Sequence, residues 1–322
     1  MTTTRRNGPG PAALFAALTA ALLVAGCGGP TSADSQQTYE IPGDTVFPEG
    51  VAVDKSSGEF YVGSTSDGTI FRGTVGGGDV EEFLPGGQDG RTAVTGLKVD
   101  AQGRLWAAGR DTGRAFVYDT ATGDLIRALT TPPADRTLIN DLTFTDDAAF
   151  FTDSFRPVIW RVSRSDSDVG EMEAWLDLRE TKIPTDTDFG LNGISASDNG
   201  SVLLTVHFDT GQLFRIDVAT GGVTEVDLGS ETLMTGDGIL LDGQTLLVVR
   251  EDPGAVFPVQ LSADLTSGVV GEPFGTDLQL PTTLAEYNGE VLVVNSQLGA
   301  DNPDLPFTVS GVPLPDRVDL GS

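Results

Sequence analysis

The sequence is built on a repeat of about 45 residues. Its clearest copy is Gly236-Asp237-Gly238-Ile239-Leu240-Leu241-Asp242, in which a polar residue precedes a short apolar strand and an acidic turn. Six such copies follow one another at spacings of 46, 45, 52, 45 and 45 residues, and their leading residues are Glu49, Thr95, Asn140, Asn192, Asp237 and Thr282. A repeat of this length that is made of short strands is typical of β-propeller blades.

Each repeat carries further strand patterns behind the leading one. A second strand is predicted at 59–63 and 104–108, a third at 69–72 and 115–118, and a weaker fourth at 223–226. Four short strands per period without a helical periodicity predict an all-β fold, a six-bladed β-propeller of four-stranded blades. The sixth repeat is short of an outer strand, and we expect Thr38-Tyr39-Glu40-Ile41 to supply it and close the propeller.

Composition limits the classes of partner. The chain has 322 residues, 47 of them acidic against 19 basic, and a formal net charge of −28. So acidic a protein repels nucleic acid, which we exclude as a partner, but is compatible with cations. The 41 glycines and 18 prolines fit a single large β domain with many turns.

The amino terminus has the pattern of a bacterial lipoprotein precursor. Two arginines precede an apolar run that is too short to span a bilayer, so residues 1–26 are predicted to be a signal peptide. The run ends Leu-Val-Ala-Gly before Cys27, which resembles a lipobox and predicts lipidation of that residue, the only cysteine of the chain. Residues 27–37 would be the acylated Cys and a flexible tether, and residues 38–322 the propeller. We therefore expect an extracytoplasmic monomer, held at a bacterial membrane by its lipid anchor.

The leading residues carry the predicted chemistry. The innermost strands of a propeller line a central channel, so equivalent positions at their starts converge near the axis on one face. Glu49, Asn140, Asn192 and Asp237 would there form an oxygen cage that suits a divalent metal, most favourably Ca²⁺. The alternative is that these residues are turn formers without a ligand.

Several motifs at these positions resemble those of the senescence-marker-protein (regucalcin) and gluconolactonase family, whose relatives include organophosphate-hydrolysing propellers and, more distantly, strictosidine synthase. The resemblance covers roughly residues 42–310. It rests on Pro48-Glu49-Gly50, Asn140-Asp141, Leu191-Asn192-Gly193-Ile194 with Asp198-Asn199-Gly200, and Gly236-Asp237-Gly238.

The resemblance implies roles for the same residues. It makes Glu49, Asn192 and Asp237 metal ligands, places Asn140 on the metal or the substrate, and gives Asp237 the role of catalytic base or nucleophile. Two departures make a sugar lactone a doubtful substrate. The sugar lactonases typically carry an arginine where this chain has Leu138, and Pro and Trp soon after the glutamate where it has Val51-Ala52-Val53.

The chain has a single histidine, which excludes mechanisms that need two. His207 ends a predicted second strand on the face of the cage, as Arg250 and Asn295 do in later repeats. His207 and Arg250 are therefore candidates for substrate binding at the mouth of the channel. The alternative for a lone histidine is a structural role.

Two functions from different classes follow. The first is a Ca²⁺-dependent hydrolase of lactones or related esters that acts on a small-molecule substrate, with Asp237 activating water or attacking directly. The second is a non-catalytic, surface-anchored binding or scaffold propeller with a structural ion. The complete cage favours the enzyme, whereas the missing arginine and the lipid tether leave the binding protein open.

Overall fold

The structure is a computed structural model and describes residues 37–316 and Val318. It consists of six four-stranded antiparallel sheets, each built from consecutive strands except where the chain termini meet. The all-β six-bladed propeller that the repeat predicts is confirmed. The signal peptide, Cys27 and most of the tether lie outside the described residues, and those predictions are not tested.

The first three blades take their strands in chain order from the axis outward. Blade 1 contains β2 (Pro48–Val53), β3 (Glu59–Ser64), β4 (Ile70–Thr74) and β5 (Glu81–Leu84). Blade 2 contains β6 (Leu97–Val99), β7 (Arg104–Ala108), β8 (Arg114–Asp119) and β9 (Leu125–Thr130). Blade 3 contains β10 (Ile139–Phe144), β11 (Ala148–Asp153), β12 (Val158–Arg164) and β13 (Val169–Asp177).

The other blades follow the same order. Blade 4 contains β14 (Leu191–Ala196), β15 (Val202–His207), β16 (Leu213–Asp217) and β17 (Val223–Glu225). Blade 5 contains β18 (Gly236–Asp242), β19 (Thr245–Arg250), β20 (Ala255–Leu261) and β21 (Gly268–Val270). Blade 6 contains β22 (Pro281–Tyr287), β23 (Glu290–Asn295), β24 (Phe307–Pro313) and β1 (Gln37–Ile41).

The amino-terminal strand closes the propeller, as predicted. β1 pairs antiparallel with β24, from Gln37 opposite Gly311 to Ile41 opposite Phe307. Tyr39 and Ile41 are fully buried, and the Tyr39 hydroxyl accepts a hydrogen bond from the Gly76 amide of blade 1 at 2.9 Å. The first and last blades are thereby joined through side chains as well as through the ladder.

Apolar side chains fill the spaces between the blades. Trp106 and Trp160 share one cluster with strands of blades 2 and 3, and Trp175 packs edge-on against Phe150 with ring centroids 4.7 Å apart. Trp106 and Trp160 are fully buried, while Trp175 is half-buried. The described residues contain no helix long and apolar enough to cross a membrane.

Candidate functional site

A bulge at the start of the innermost strands places the leading residues. In five blades the ladder between the first two strands skips two residues, as between Pro48 and Val51 and between Gly236 and Ile239. The leading residue and the one after it lie in this gap. The bulge bends the strand and leaves these two residues outside the regular pairing. Their side chains therefore need not follow the usual alternation between the two faces of the sheet.

The residue after the leading one is glycine in four blades because the next blade comes very close. A Cβ atom on Gly50 would lie 2.1 Å from the Thr95 carbonyl oxygen, and one on Gly193 would lie 2.2 Å from the Asp237 carbonyl oxygen. Each glycine therefore lets one leading residue approach the backbone of the next. This close approach is the physical basis of the Gly that accompanies the repeat.

Two of the six leading residues serve the contact between blades. The Thr95 hydroxyl lies within hydrogen-bond distance of the carbonyl oxygens of Ile139 and Asn140, at 2.7 and 2.9 Å. The Thr282 hydroxyl donates to the Glu49 carbonyl oxygen at 2.7 Å. Both hydroxyl groups are thus hydrogen-bonded to the backbone of the neighbouring blade.

The four predicted ligands are all buried, at 2% to 4% exposure, and their oxygen atoms are poorly paired. Glu49 Oε2, Asn140 Oδ1 and Asp237 Oδ1 have no hydrogen-bond partner within the described chain. Buried polar atoms are nearly always hydrogen-bonded, so three unpaired oxygens at equivalent positions call for a partner that is not protein. A divalent cation would be such a partner, since oxygen ligands are the ones that Ca²⁺ takes.

The carboxamides are oriented by their own contacts. Asn140 Nδ2 donates to Ser154 Oγ and to Asn192 Oδ1, both at 2.8 Å. These bonds turn the Asn140 amide nitrogen toward blade 4 and leave its oxygen as the free end. Of the predicted ligands, Asn140 and Asn192 are therefore in direct contact.

The carboxylates interact although they come from different blades. Burial raises the pKa of Glu49 well above its usual range, Asp141 adds to the rise, and Lys98 and Arg110 oppose it. Burial likewise raises the pKa of Asp237, and the charges of Glu49 and Glu251 raise it further. A bound cation would reverse this balance by favouring the charged form of both side chains.

Acidic groups alone do not make a metal site. Within residues 37–316 and Val318, no three His, Cys, Asp or Glu side chains form a group that could hold a metal. An ion at this place would therefore depend on the amide oxygens of Asn140 and Asn192 beside the carboxylates of Glu49 and Asp237. The donor set is the one that the sequence predicts, and its roles stay a prediction.

Sequence analysis missed the residues that follow the second strands. Residues 64, 153, 207, 250 and 295 pair with the residue before the leading one, so the next residue lies beside the cage. In blades 3, 5 and 6 that residue is Ser154, Glu251 or Ser296. Glu251 shares a side-chain hydrogen bond with Asp237, and burial raises its pKa to about 7. Ser296 Oγ is buried without a partner in the described chain. The signal in the sequence was the polar residue at this fixed place in blades 3, 5 and 6.

The candidate substrate-binding residues differ in their surroundings. His207 is fully buried, its Nε2 lies 3.2 Å from the Pro184 carbonyl oxygen and 3.4 Å from Thr187 Oγ1, and burial lowers its pKa. Arg250 is half-buried, stacks over Phe257 and donates from Nε to the Met234 carbonyl oxygen at 2.8 Å. The histidine thus contacts Pro184 and Thr187, and the arginine contacts Met234 and Phe257, which are not cage residues.

Other side chains near the mouth are structural or apolar. Asn295 is buried and donates to Thr308 Oγ1 and Ser310 Oγ, both at 2.9 Å. Leu138, at the place of the sugar-lactonase arginine, is buried. Loops of blades 3 and 4 carry a chain of aromatic contacts, Phe155 to Phe189 at 5.4 Å and Phe189 to Phe208 at 5.0 Å. This face therefore offers apolar surface beside the acidic axis.

The sequence matches no protein-family profile and no curated protein. Among solved structures, it is similar to a calcium-binding protein, regucalcin, from Agrobacterium tumefaciens, with 18% identity, a TM-score of 0.61 and coverage of 85% of this chain and 93% of that one. It is also similar to a gluconolactonase from Xanthomonas campestris, with 15% identity, a TM-score of 0.60 and coverage of 87% and 90%.

A third similar structure is a catalytically inactive virginiamycin B lyase from Staphylococcus aureus with quinupristin. It is 16% identical, with a TM-score of 0.57 and coverage of 87% of this chain and 99% of that one. At these identities the likeness establishes the β-propeller fold.

Proposed function

We propose that this propeller is a divalent-cation-dependent hydrolase of lactones or related esters, that Ca²⁺ is its ion, and that the regucalcin and gluconolactonase propellers are its functional relatives. The observation that carries the proposal is the set of unpaired, buried oxygens on Glu49, Asn140 and Asp237. Regucalcin and gluconolactonase among the similar structures support the choice of ion and of substrate class.

Asp237 is the proposed base. It lies at the axis with an unpaired carboxylate oxygen, and Glu251 at its side is only half-buried. Asp237 would take a proton from the attacking water, and the half-buried Glu251 is hydrogen-bonded to it. A bound divalent cation would polarise the substrate carbonyl and stabilise the negative charge that develops on its oxygen.

The apolar surface near the cage favours lactones or esters with an apolar substituent. Leu138 replaces the charged sugar contact, and the Phe155–Phe189–Phe208 chain lies on the same face. An apolar acyl or aryl substituent would bury surface there, whereas a polyhydroxylated ring would lose hydrogen bonds to water without replacing them.

The experiment is a panel of lactones and esters, from sugar lactones to alkyl and aryl esters, assayed with added Ca²⁺ and with chelator. We expect hydrolysis of apolar members that requires the ion. Metal content and the thermal midpoint are measured on the same samples. Ca²⁺ bound only to the folded state should stabilise it by about 2.7 kcal/mol at a hundredfold excess over Kd.

The outcomes separate the two classes of function. Stabilisation by Ca²⁺ without hydrolysis of any panel member would favour a binding propeller with a structural ion. An unchanged midpoint in a sample shown to be metal-free before the addition would remove the metal site itself, and the hydrolase with it.

A further inference from the structure

A second cavity lies at the other end of the channel. It measures about 520 Å³ and is lined by the ends of the innermost strands of blades 1, 2, 5 and 6 and by the turns that follow those of blades 1 and 2, at residues 52–56, 98–101, 103, 240 and 284–286. Volumes of about 300 to 1,000 Å³ are usual for small-molecule sites. Leu284 is buried in its wall, and Val53, Val99 and Leu240 are apolar yet only half-buried. An apolar ligand would cover these side chains.

The acidic groups of this cavity are already paired. Asp100 Oδ2 accepts hydrogen bonds from Arg104 Nε at 2.7 Å and from Trp106 Nε1 at 2.8 Å. Asp54 Oδ1 accepts from the amide and the hydroxyl of Ser56. The third acid, Glu286, is paired at both oxygens: Oε2 with Lys55 Nζ at 2.9 Å and Oε1 with the Gly289 amide at 3.3 Å.

The lysines, in contrast, have donors to spare. The Lys98 ammonium faces Asp141 Oδ1 at 3.8 Å, and its side chain is 27% exposed. Lys55, at the rim, meets Glu286. Each ammonium has three N–H donors. The hydrogen bond to Glu286 uses one donor of Lys55, whereas the contact of Lys98 with Asp141 is an ion pair longer than a hydrogen bond. The unused hydrogen-bonding capacity of the cavity is therefore on the side of donors.

We propose that this cavity is a second ligand site, which takes a single-chain amphiphilic carboxylate such as a medium- or long-chain fatty acid. The alkyl chain packs on Val53, Val99, Leu240 and Leu284, and the carboxylate head accepts hydrogen bonds from the Lys98 ammonium. Charge-assisted hydrogen bonds of this kind are stronger than neutral ones, so the acid is favoured over an alcohol of equal length.

The site is distinct from the cage and does not depend on the proposed hydrolase activity. Lys98 reaches toward Asp141 between the two ends of the channel, so its ammonium marks the inner limit of the cavity. The acidic surface repels a carboxylate at long range. At 0.15 M salt the screening length is about 8 Å, and binding should be measured there.

The test uses the full chain carrying Cys27→Ser, so that no acyl group is attached. Calorimetric titration compares dodecanoate with dodecanol, both below micelle-forming concentrations, and then decanoate. We expect dodecanoate to bind more tightly than dodecanol. Each methylene removed should weaken binding about fourfold, the value of burying one CH₂ group.

Three variants locate the site. Lys98→Met should weaken dodecanoate about tenfold, the lower end for a charge-assisted hydrogen bond, and leave dodecanol unchanged. Leu240→Trp should fill the cavity and abolish binding of both. Lys182→Met, on an exposed lysine that does not line the cavity, is the matched control and should bind like the parent.

Lys98→Met also removes the counter-ion of buried Asp141, so its circular dichroism and thermal midpoint are checked first. If it fails to fold, the preference of the parent chain for dodecanoate over dodecanol and the loss of both in Leu240→Trp decide the question. Absence of dodecanoate binding in the parent chain, unchanged binding in Leu240→Trp, or equal losses of acid and alcohol in folded Lys98→Met would each overturn the proposal.

Discussion

At the scale of single residues, the leading positions divide into two kinds. The hydroxyls of Thr95 and Thr282 bond to carbonyl oxygens of the neighbouring blade. Glu49, Asn140 and Asp237 each have an oxygen without a hydrogen-bond partner in the described chain. The same place in the repeat thus holds a hydroxyl that bonds to the next blade in two repeats and a buried oxygen without a partner in three. The backbone does not separate the two kinds, because the bulge is present at Thr282 as well as at Glu49, Asn140 and Asp237.

The first prediction concerns the proposed base. Asp237→Asn keeps the size of the side chain and one ligand oxygen but removes its charge and basicity. At saturating Ca²⁺ the rate should fall by about 10² to 10⁴-fold while the ion stays bound, since general-base catalysis is typically worth that much. Activity and metal content are measured on one sample, and Asn192→Asp serves as the comparison that should keep the ion. Full activity of Asp237→Asn at full occupancy would contradict the role.

The second prediction is a pH dependence of the metal-free protein. Folding raises the pKa values of Glu49, Asp237 and Glu251, so the folded state holds protons that the unfolded chain releases. The corresponding stability is complete below about pH 4, the ordinary carboxyl range, and is lost as the pH rises through the folded values, which reach about 7 for Glu251. In chelator, the thermal midpoint should therefore be lower at pH 8 than at pH 5.

Several neighbouring charged groups also affect this pH dependence of stability. Asp141 adds repulsion at Glu49 and Asp237, Lys98 and Arg110 relieve it at Glu49, and His207, whose pKa is lowered, contributes a slope of opposite sign near pH 6. Glu251→Gln cancels the His207 effect in the comparison, because the histidine is present in both proteins. The thermal midpoint of the variant should change less between pH 5 and 8 than that of the parent chain. An identical change in both proteins would argue against the raised pKa of Glu251.

At the scale of elements, a glycine lies at each of four close contacts between innermost strands of adjacent blades. Gly50, Gly96, Gly193 and Gly238 each stand where a Cβ atom would meet the backbone of the next blade at 2.1 to 2.7 Å. The bulge and the glycine act together, because the first frees the leading side chain and the second brings adjacent strands close enough for the cage to form. The pattern of the repeat is therefore a packing requirement of the axis.

The third prediction tests that requirement. Gly193→Ala would place a methyl group 2.2 Å from the Asp237 carbonyl oxygen, so the strands must separate. Overpacking of this kind typically costs about 1 to 3 kcal/mol, which urea unfolding would measure. Gly78→Ala is the matched control, since nothing lies within 4 Å of its Cβ position and it should be near neutral. Equal stability of the two variants would show that the close approach is not required.

At the scale of the whole molecule, closure depends on the two ends of the described chain. β1 completes the blade that β22, β23 and β24 begin, and it leaves no unpaired edge on β24. Its antiparallel register puts Gln37 beside Gly311 near the end of β24, on the side of the second cavity, and Ile41 at the side of the cage.

The fourth prediction is that β1 acts as a clasp. Tyr39 is buried against Phe60 with ring centroids 4.8 Å apart and bonds the Gly76 amide. Tyr39→Ala should cost about 3 to 5 kcal/mol of unfolding free energy, as for other large aromatic truncations, with blades 1 and 6 opening together. Tyr39→Phe should lose only the hydrogen bond, about 1 kcal/mol. Denaturant unfolding measures both, and a small effect of Tyr39→Ala would mean that closure does not need this side chain.

The fifth prediction concerns the amino-terminal segment, which stays a prediction from sequence. Cys27→Ser should block acylation and cleavage of the signal peptide at this site, because the thiol is the atom that takes the lipid. Labelling cells with a radioactive or clickable fatty acid measures the result. Continued incorporation of the label by Cys27→Ser would refute the lipobox.

The sequence by itself determined the number of blades, the identity of the closing strand and the positions of Glu49, Asn140, Asn192 and Asp237 at the starts of innermost strands. It could do so because repeat spacing and the alternation of strand residues are local properties that chain order preserves. The unpaired state of the oxygens and the half-buried place of Glu251 depend on burial that no local pattern encodes. The hydrogen bond between Asn140 and Asn192 joins two blades at residues that are 52 positions apart in the chain. Only the tertiary structure decided those, together with the cavity at the far end of the channel, because each arises where side chains from separate repeats meet.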